Sequence, residues 1–425
     1  MLEKNLRKET FYLYIIQIAN IVLPLLTIPY FTKIFGTEYY GKLSFAIVIS
    51  MVSTFIVDFG FNFSAARLIG FNKDSKDELN KIFSNVQLVK LFFFALVSTF
   101  GGGVFLLIND DVDGKLFLIG VFSSASSVFM PYWFFQGVGR NSLISLINLI
   151  VRVVTICAIF GFVHDTRDVF IAAILQLFSP VAAGVVLFFY MRKEGIALFS
   201  SSNISFVYCI SLVKESFHNF SASFMTLGFT YLNPLLIKYF LGDSALGVYS
   251  LAERIVSVLR QMYMPLMQAN FSSICEHYKN NNVLAVTMVV RKIFFIFFVI
   301  AIISVIGNYV VGESVFYFLF GIGYNNTEIQ HLHMLVSIMI LTQFVISLSI
   351  ILVNLVVIPS GFSFYLKRVY AYSFFIYLLV IFPMIYYGGL NGVAITILFV
   401  EFSVVFTLYK FAKLNKLLNF SSKMD

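Results

Sequence analysis

Long apolar runs separated by short polar segments dominate the chain. A helix needs about 20 apolar residues to cross the hydrocarbon core of a bilayer, and each run is long enough for one such span. The pattern therefore predicts twelve transmembrane helices, near residues 11–33, 43–63, 84–107, 115–136, 142–163, 168–191, 217–239, 246–270, 292–315, 331–357, 365–387 and 390–412.

One short pattern occurs twice, each time between two apolar runs. Its first copy is Gly36, Gly41, Ser44 and Ala46, and its second copy is Gly242, Gly247, Ser250 and Ala252. Because six predicted helices separate the copies, the two halves should have the same orientation, as in a parallel internal repeat. We therefore expect two six-helix bundles, at residues 1–195 and 215–425, joined by a cytoplasmic linker at 196–214.

Composition supports an all-α integral membrane protein. With 60% hydrophobic and 12% charged residues, the chain has too few polar side chains to cover a soluble globule of 425 residues. Its three cysteines and five histidines form no metal-binding pattern, so neither a metal nor another cofactor is expected. The net charge of +8 does not indicate a nucleic-acid partner, because cytoplasmic loops of membrane proteins are commonly basic.

The distribution of basic residues predicts the orientation. With both chain ends and alternate loops counted as cytoplasmic, that side holds 20 of the 29 lysines and arginines, and the opposite loops hold five. The positive-inside rule then places both termini in the cytoplasm.

The first apolar run contains Pro24 and Pro29. Each proline removes one backbone N–H from the helical hydrogen bonds, and in lipid the freed carbonyl needs protein or a water-filled cavity as its partner. We therefore expect this helix to be broken, to line a cavity and to bend during the function of the protein.

Five charged residues fall near the middle of predicted helices. A lipid-facing charge at mid-bilayer costs about 2.5–3.5 kcal/mol, so these side chains should face a cavity or one another. An arginine in such a cavity would suit an anionic substrate, whereas the alternatives are ion pairs of Arg152 with Glu401 and of Arg260 with Glu253. The five residues are Arg152, Arg254, Arg260, Glu253 and Glu401.

Other polar residues lie nearer the predicted helix ends. Lys90 could bind the substrate, although extension of its long side chain to the cytoplasmic interface is the favoured interpretation. Asp58, one turn before Asn62, is a candidate for ion coupling together with Glu253 and Glu401, or a polar helix end. Trp133, the single tryptophan, suits an aromatic belt at the interface or, less well, stacking on a sugar.

Several segments together resemble the Wzx-type O-antigen flippases, which are polysaccharide repeat-unit transporters of the superfamily that includes the multidrug and toxin extruders. The resemblance covers essentially the whole chain. The segments are LPLLTIPY at 23–30, GTEYYGKLSFA at 36–46, DFGFNFSAAR at 58–67, PYWFFQG at 131–137 and LGVYSLAER at 246–254.

This resemblance implies a fold and a function. The fold is the two-bundle, twelve-helix fold of the multidrug and toxin extruders (MATE-like). The substrate is an oligosaccharide on undecaprenyl pyrophosphate, which the flippase moves from the cytoplasmic to the periplasmic leaflet of the bacterial inner membrane by alternating access, with ion coupling. Implied partners are membrane lipid and, in the same pathway, a glycan polymerase and a chain-length regulator.

Two other functions remain open at this stage. A multidrug exporter of the same fold would more usually present acidic and aromatic residues to a cationic drug, whereas cations outnumber acids inside these helices. A polysaccharide polymerase would carry arginines on a sizeable periplasmic loop, and the longest such loop predicted here, near 312–330, has no arginine or lysine. We therefore expect a transporter and not an enzyme.

Overall fold

The computed structural model describes residues 2–108, 111–195, 203–320 and 326–418, and within these ranges the chain is helical, with no strand. Two compact units contain residues Met1–Leu227 and Gly228–Asp425. Of the predicted linker, residues 196–202 lie outside the described ranges. The helices are α1 Leu2–Asp58, α2 Phe61–Phe71, α3 Lys76–Phe105, α4 Asp111–Ser123, α5 Ala125–Phe129, α6 Tyr132–Gly137, α7 Asn141–Phe162, α8 Val169–Lys193, α9 Phe206–Lys279, α10 Val283–Phe320, α11 Asn326–Ile351 and α12 Ser363–Leu414.

The protein is a multi-pass membrane protein. Among the described residues, nine helical segments are long and apolar enough to cross a bilayer. Three of them, in α1, α9 and α12, each include parts of two predicted spans. The nine segments are Leu25–Asp58, Lys76–Phe105, Asp111–Gly137, Ser142–Phe162, Thr166–Lys193, Tyr231–Tyr263, Val283–Tyr317, His331–Val357 and Ser363–Leu414.

The repeated glycine pattern marks a backbone kink in each unit. Gly36 in α1 has φ 61° and ψ −167°, and Gly242 in α9 has φ 87° and ψ −177°. Such positive φ angles favour glycine, because a Cβ would clash with the backbone. At Gly242 the backbone leaves the helical conformation, so α9 consists of two helical parts that meet at the kink. The two copies thus share a conformation as well as a spacing.

A third kink lies in α12 at Gly389, where φ is 54°. The rings of Tyr365 and Phe411 stack with their centroids 3.9 Å apart, although the two residues are 46 positions apart in the chain. The two ends of α12 therefore lie side by side, as expected for two predicted spans joined by a tight turn.

The second predicted span ends earlier than expected. Helix α1 stops at Asp58, Phe59 and Gly60 have φ angles of 43° and 80°, and α2 begins at Phe61. A Cβ on Gly60 would lie 2.8 Å from the carbonyl oxygen of Ser216 in α9. The break is therefore packed against the part of α9 that belongs to the same unit.

Both prolines of α1 lie in helical backbone. The helix runs through Pro24 and Pro29, and the non-helical residue found in α1 is Gly36. The expectation of a break at the prolines is therefore wrong, and the kink at Gly36 is instead the turn between the first two predicted spans. The role of the prolines in bending stays a prediction.

The fourth predicted span, 115–136, is divided into α4, α5 and α6. Pro131 lies at the N-terminus of α6, where a backbone N–H would have no hydrogen-bond partner within the helix. The N–H that proline lacks is therefore not needed there. A Cβ on Gly101 in α3 would lie 2.8 Å from a methyl group of Val121 in α4. Gly101 therefore permits close packing of these two helices.

Trp133 belongs to the core of the first unit. Its side chain is 0% exposed, and its ring stacks on that of Phe83 with centroids 5.6 Å apart. The expectations of an aromatic belt and of sugar stacking are both wrong, because each needs an exposed ring. The short helix α6 turns Trp133 inward between α3 and its neighbours.

Candidate functional site

A buried ion pair connects three helices of the first unit. Lys90 Nζ in α3 donates to Asp58 Oδ1 at the end of α1, over 2.7 Å. Lys90 also donates to the carbonyl oxygen of Ser127 in α5, at 3.1 Å, and Ser127 Oγ donates to the same Asp58 oxygen at 2.6 Å. Asn62 Nδ2 donates to the other Asp58 oxygen at 3.2 Å. The carboxylate is thus held by one cation, one hydroxyl and one amide.

The position of Lys90 differs from the favoured expectation. Its side chain is 1% exposed, so it does not extend to the membrane interface. Helix α3 begins at Lys76, well before the predicted start at residue 84, and this places Lys90 about four turns from the helix start. A buried ammonium group needs a partner, and Asp58 provides one. Since its donors are engaged within the protein, Lys90 is a poor candidate for substrate contact.

Arg152 lies in the same unit, half-buried on α7. Its charge and that of Asp58 both act on the hydroxyl group of Tyr132. The Tyr132 oxygen accepts a hydrogen bond of 3.1 Å from Asn148 Nδ2, one turn before Arg152. Arg152 therefore lies one turn from the hydrogen bond that joins α7 to Tyr132 in α6.

The second unit contains an arginine held by two side chains. Arg260 Nη2 donates to Glu253 Oε1 over 2.9 Å, and Arg260 Nε donates to Gln343 Oε1 over 3.2 Å. Glu253 lies two turns before Arg260 on α9, so the ion pair weighed as an alternative is present. Gln343 comes from α11 and is 2% exposed.

Arg254, next to Glu253, points to a different side of α9, because successive residues are about 100° apart around a helix. Its side chain is half-buried. No residue in the described part of the chain forms a hydrogen bond or ion pair with its guanidinium group. Arg254 is thus a membrane-helix cation without a counter-charge among the residues that the structure describes.

Glu401 on α12 is the most buried carboxylate of the predicted set. It is 9% exposed and accepts a hydrogen bond of 3.3 Å from Ser349 Oγ in α11. The charge of Arg260 acts on it as well. Glu401 and Arg260 therefore belong to one polar region of the second unit.

Gln343 and Ser349 were not predicted. Both lie on α11, which also buries the hydroxyl groups of Thr342 and Ser347. Four buried polar residues within eight positions of an apolar helix form a recognisable signal, since such residues are uncommon on lipid-facing surfaces. The sequence alone gives no sign that two of them contact Arg260 and Glu401.

Asn85 fixes the start of α9 in the first unit. Its side chain donates to the carbonyl oxygen of Asn203 at 2.7 Å and accepts from the backbone N–H of Ser205 at 2.9 Å. It also accepts from the thiol of Cys209 at 3.3 Å. Burial raises the pKa of the Cys209 thiol, so this cysteine should react slowly with thiol reagents.

The family model described as "Polysaccharide biosynthesis protein" matches residues 6–271. The chain belongs to this family. The match includes the residues of the Lys90–Asp58 pair, Arg152 and the Glu253–Arg260 pair, whereas Gln343, Ser349 and Glu401 lie beyond it.

Two curated relatives are similar over nearly their whole length. A protein from Shigella dysenteriae is 25% identical over 413 residues, with 96% of this chain and 100% of the relative covered. A protein from Escherichia coli strain K12 is 26% identical over 418 residues, with 97% and 98% covered. Both are named, provisionally, as O-antigen transporters.

Solved structures share the fold of this family member. The lipid II flippase MurJ in an inward closed conformation has a TM-score of 0.73 at 13% identity, with 95% of this chain and 87% of that chain covered. An inward-facing multidrug resistance MATE transporter has a TM-score of 0.68, also at 13% identity, with 95% and 100% covered. At these identities the likeness establishes the MATE-like fold only.

Proposed function

We propose that the protein is a flippase for undecaprenyl-pyrophosphate-linked oligosaccharides, the O-antigen repeat units. It moves them from the cytoplasmic to the periplasmic leaflet of the bacterial inner membrane by alternating access. The family and the names of the two relatives support the class of substrate. The observation that carries the proposal is that half-buried arginines lie within membrane helices of a chain from this family.

The arginines bind the pyrophosphate. A pyrophosphate that leaves the membrane surface loses water and counterions, and guanidinium groups can replace both with charge-assisted, often bidentate hydrogen bonds. Arg152 serves this purpose in the first unit, and Arg254 and Arg260 serve it in the second. Lys90, bound to Asp58, holds its helices together instead of touching the substrate.

In this proposal the chain crosses the membrane twelve times, with both termini in the cytoplasm. Counting the kinked α1, α9 and α12 as two spans each raises the nine membrane segments to twelve. The 20-to-5 distribution of basic residues supports the orientation.

Transport is coupled to an ion. Asp58 and Glu401 are the carboxylates proposed for this role, because each lies in a membrane helix, accepts a hydrogen bond from a serine hydroxyl and interacts with a cation in its own unit. Ion binding at either site would then alter a contact between helices. The polymerase and chain-length regulator of the same pathway are the proposed protein partners.

Deletion of the gene, followed by analysis of lipid-linked oligosaccharides in the two leaflets, tests this function. We expect the lipid-linked repeat unit to accumulate in the cytoplasmic leaflet and to disappear from the periplasmic leaflet. A complemented strain serves as the control. An unchanged distribution between the leaflets would refute the proposal.

A further inference from the structure

The two partners of Arg260 differ in chemistry. Gln343 is neutral, is buried at 2% exposure and binds Nε from another helix, α11. Glu253 is an anion on the same helix as Arg260, and its side chain is 31% exposed. Gln343 therefore holds the Arg260 guanidinium group in a fixed position. The Glu253 carboxylate is partly exposed, so it can turn toward solvent without becoming a buried group that lacks a hydrogen-bond partner.

Glu253 also resembles the proposed ligand. A carboxylate and a phosphate present oxygens to a guanidinium fork in the same way, with N–H···O⁻ distances of about 2.7–2.9 Å. The 2.9 Å contact between Arg260 Nη2 and Glu253 Oε1 falls in this range. The carboxylate thus occupies a position where a phosphate oxygen would bind.

We propose that Glu253 is an internal substitute for the anionic headgroup, which a diphosphate displaces from Arg260 while Gln343 keeps the guanidinium group in place. The inference rests on the proposed function, because it assumes that Arg260 binds the diphosphate of the substrate. No covalent bond changes. The displaced carboxylate turns toward solvent, and the arginine exchanges one anion for another.

Such an exchange makes Arg260 selective. A neutral sugar or lipid cannot compete with an ion pair, so it does not open the Glu253–Arg260 contact. A diphosphate can compete, since it carries more negative charge and more acceptor oxygens than one carboxylate. Glu253 therefore lowers the affinity for every ligand of this arginine and excludes those that lack a strong anion.

The test measures binding of geranylgeranyl diphosphate to the purified full-length protein in detergent by isothermal titration calorimetry. Geranylgeranyl monophosphate and inorganic pyrophosphate are the comparison ligands, which separate the contribution of the lipid from that of the diphosphate. The variants are Glu253→Gln, Glu253→Asp, Gln343→Leu and Arg260→Ala. Glu276→Gln is the matched control, because it removes the same charge from the same helix at a residue that does not contact Arg260.

We expect Glu253→Gln to tighten diphosphate binding about fivefold, because removal of a half-exposed competing ion pair is worth roughly 1 kcal/mol. Glu253→Asp, whose shorter side chain reaches Arg260 less well, should tighten it by a smaller factor, and Glu276→Gln should not change it. Gln343→Leu should weaken it, because the guanidinium group loses its support. Monodisperse elution of each variant confirms that it is folded.

Two results would overturn the inference in distinguishable ways. If Glu253→Gln and Glu253→Asp bind the diphosphate no more tightly than the parent while Arg260→Ala loses binding, Glu253 is a permanent structural partner and the proposed function stands. If Arg260→Ala binds the diphosphate like the parent protein, Arg260 does not bind the headgroup, and its assignment under the proposed function fails with the inference.

Discussion

Lys90 and Asp58 form a 2.7 Å ion pair in which the lysine side chain is 1% exposed and the aspartate side chain is 22% exposed. The pair connects α3 to the last residue of α1, directly before the break at Phe59 and Gly60. A charge pair at this point holds the broken end of α1 against its neighbours.

The first prediction concerns this pair. Lys90→Met leaves the Asp58 carboxylate without its cation, and Asp58→Asn leaves a buried ammonium group without its anion. Removing one partner of a buried pair costs about 3–5 kcal/mol, and the partial exposure of Asp58 places the expected loss at the lower end. Thermal unfolding of the purified variants measures the loss.

The double variant and a surface pair are the controls. Lys90→Met combined with Asp58→Asn should recover part of the stability, because no unpaired charge remains. Lys81→Met, which breaks the exposed pair with Glu78, should cost less than about 1 kcal/mol. Equal melting temperatures for Lys90→Met and Lys81→Met would contradict the buried-pair interpretation.

The second prediction concerns the kink at Gly242. Gly242→Ala should destabilise the protein by about 1–3 kcal/mol, because the backbone at φ 87° and ψ −177° is a conformation found essentially only at glycine. Gly102→Ala in α3 is the matched control, since its φ is helical and no atom lies within 4 Å of the added Cβ. Gly102→Ala should be neutral or stabilising. If both substitutions change the melting temperature equally, the kink does not require a glycine.

The positions of the helices could be predicted from apolar runs, because burial in lipid imposes length and composition on each span. The tight turns at Gly36 and Gly242 could also be predicted, since a repeated glycine spacing marks a repeated local conformation. The boundaries were less accurate: α3 begins at Lys76 instead of 84, and α10 continues to Phe320 through part of the predicted 312–330 loop.

The partners of the charged residues could be predicted only where they share a helix. The i, i+7 spacing of Glu253 and Arg260 indicated their ion pair. The contact of Lys90 with Asp58, and those of Gln343 and Ser349 with their partners, join different helices. Such contacts depend on how helices pack, which an apolar pattern does not determine.

The third prediction concerns the prolines of α1. Replacement of both Pro24 and Pro29 by alanine should leave the protein inserted but slow transport, because restored backbone hydrogen bonds stiffen a helix that is proposed to bend. Flux of a fluorescent lipid-linked oligosaccharide in proteoliposomes measures the effect. Pro180→Ala in α8 is a control outside this helix. Unchanged flux in the double variant would contradict a role of these two prolines in bending the helix.

The fourth prediction concerns orientation. In a variant whose native cysteines are replaced, a single cysteine at Glu194 should react with a membrane-impermeant maleimide only after the cells are opened. Glu194 suits this test because it is exposed and follows the last turn of α8. The same labelling of the parent protein should show Cys209 reacting slowly, because its thiol is buried with a raised pKa. Labelling of residue 194 in intact cells would reverse the proposed orientation.

The fifth prediction concerns the interior arginines, on which the functional account depends. Arg152→Ala and Arg260→Ala should each abolish or sharply reduce export, because each removes a cation that replaces the lost hydration of the pyrophosphate. Arg152→Lys should retain part of the activity, since it keeps the charge and loses the planar fork. Arg67→Ala, at an exposed arginine paired with Glu215, is the control and should leave export unchanged.

The most direct measurement is the rate at which purified protein in proteoliposomes moves an undecaprenyl-pyrophosphate-linked oligosaccharide between leaflets, compared among the parent, Arg152→Ala, Arg260→Ala and Arg67→Ala at equal protein content. The account predicts the parental rate for Arg67→Ala and a rate near that of empty liposomes for Arg152→Ala and Arg260→Ala. Parental rates for both Arg152→Ala and Arg260→Ala would contradict it, because the interior cations would then be structural and not part of the pyrophosphate site.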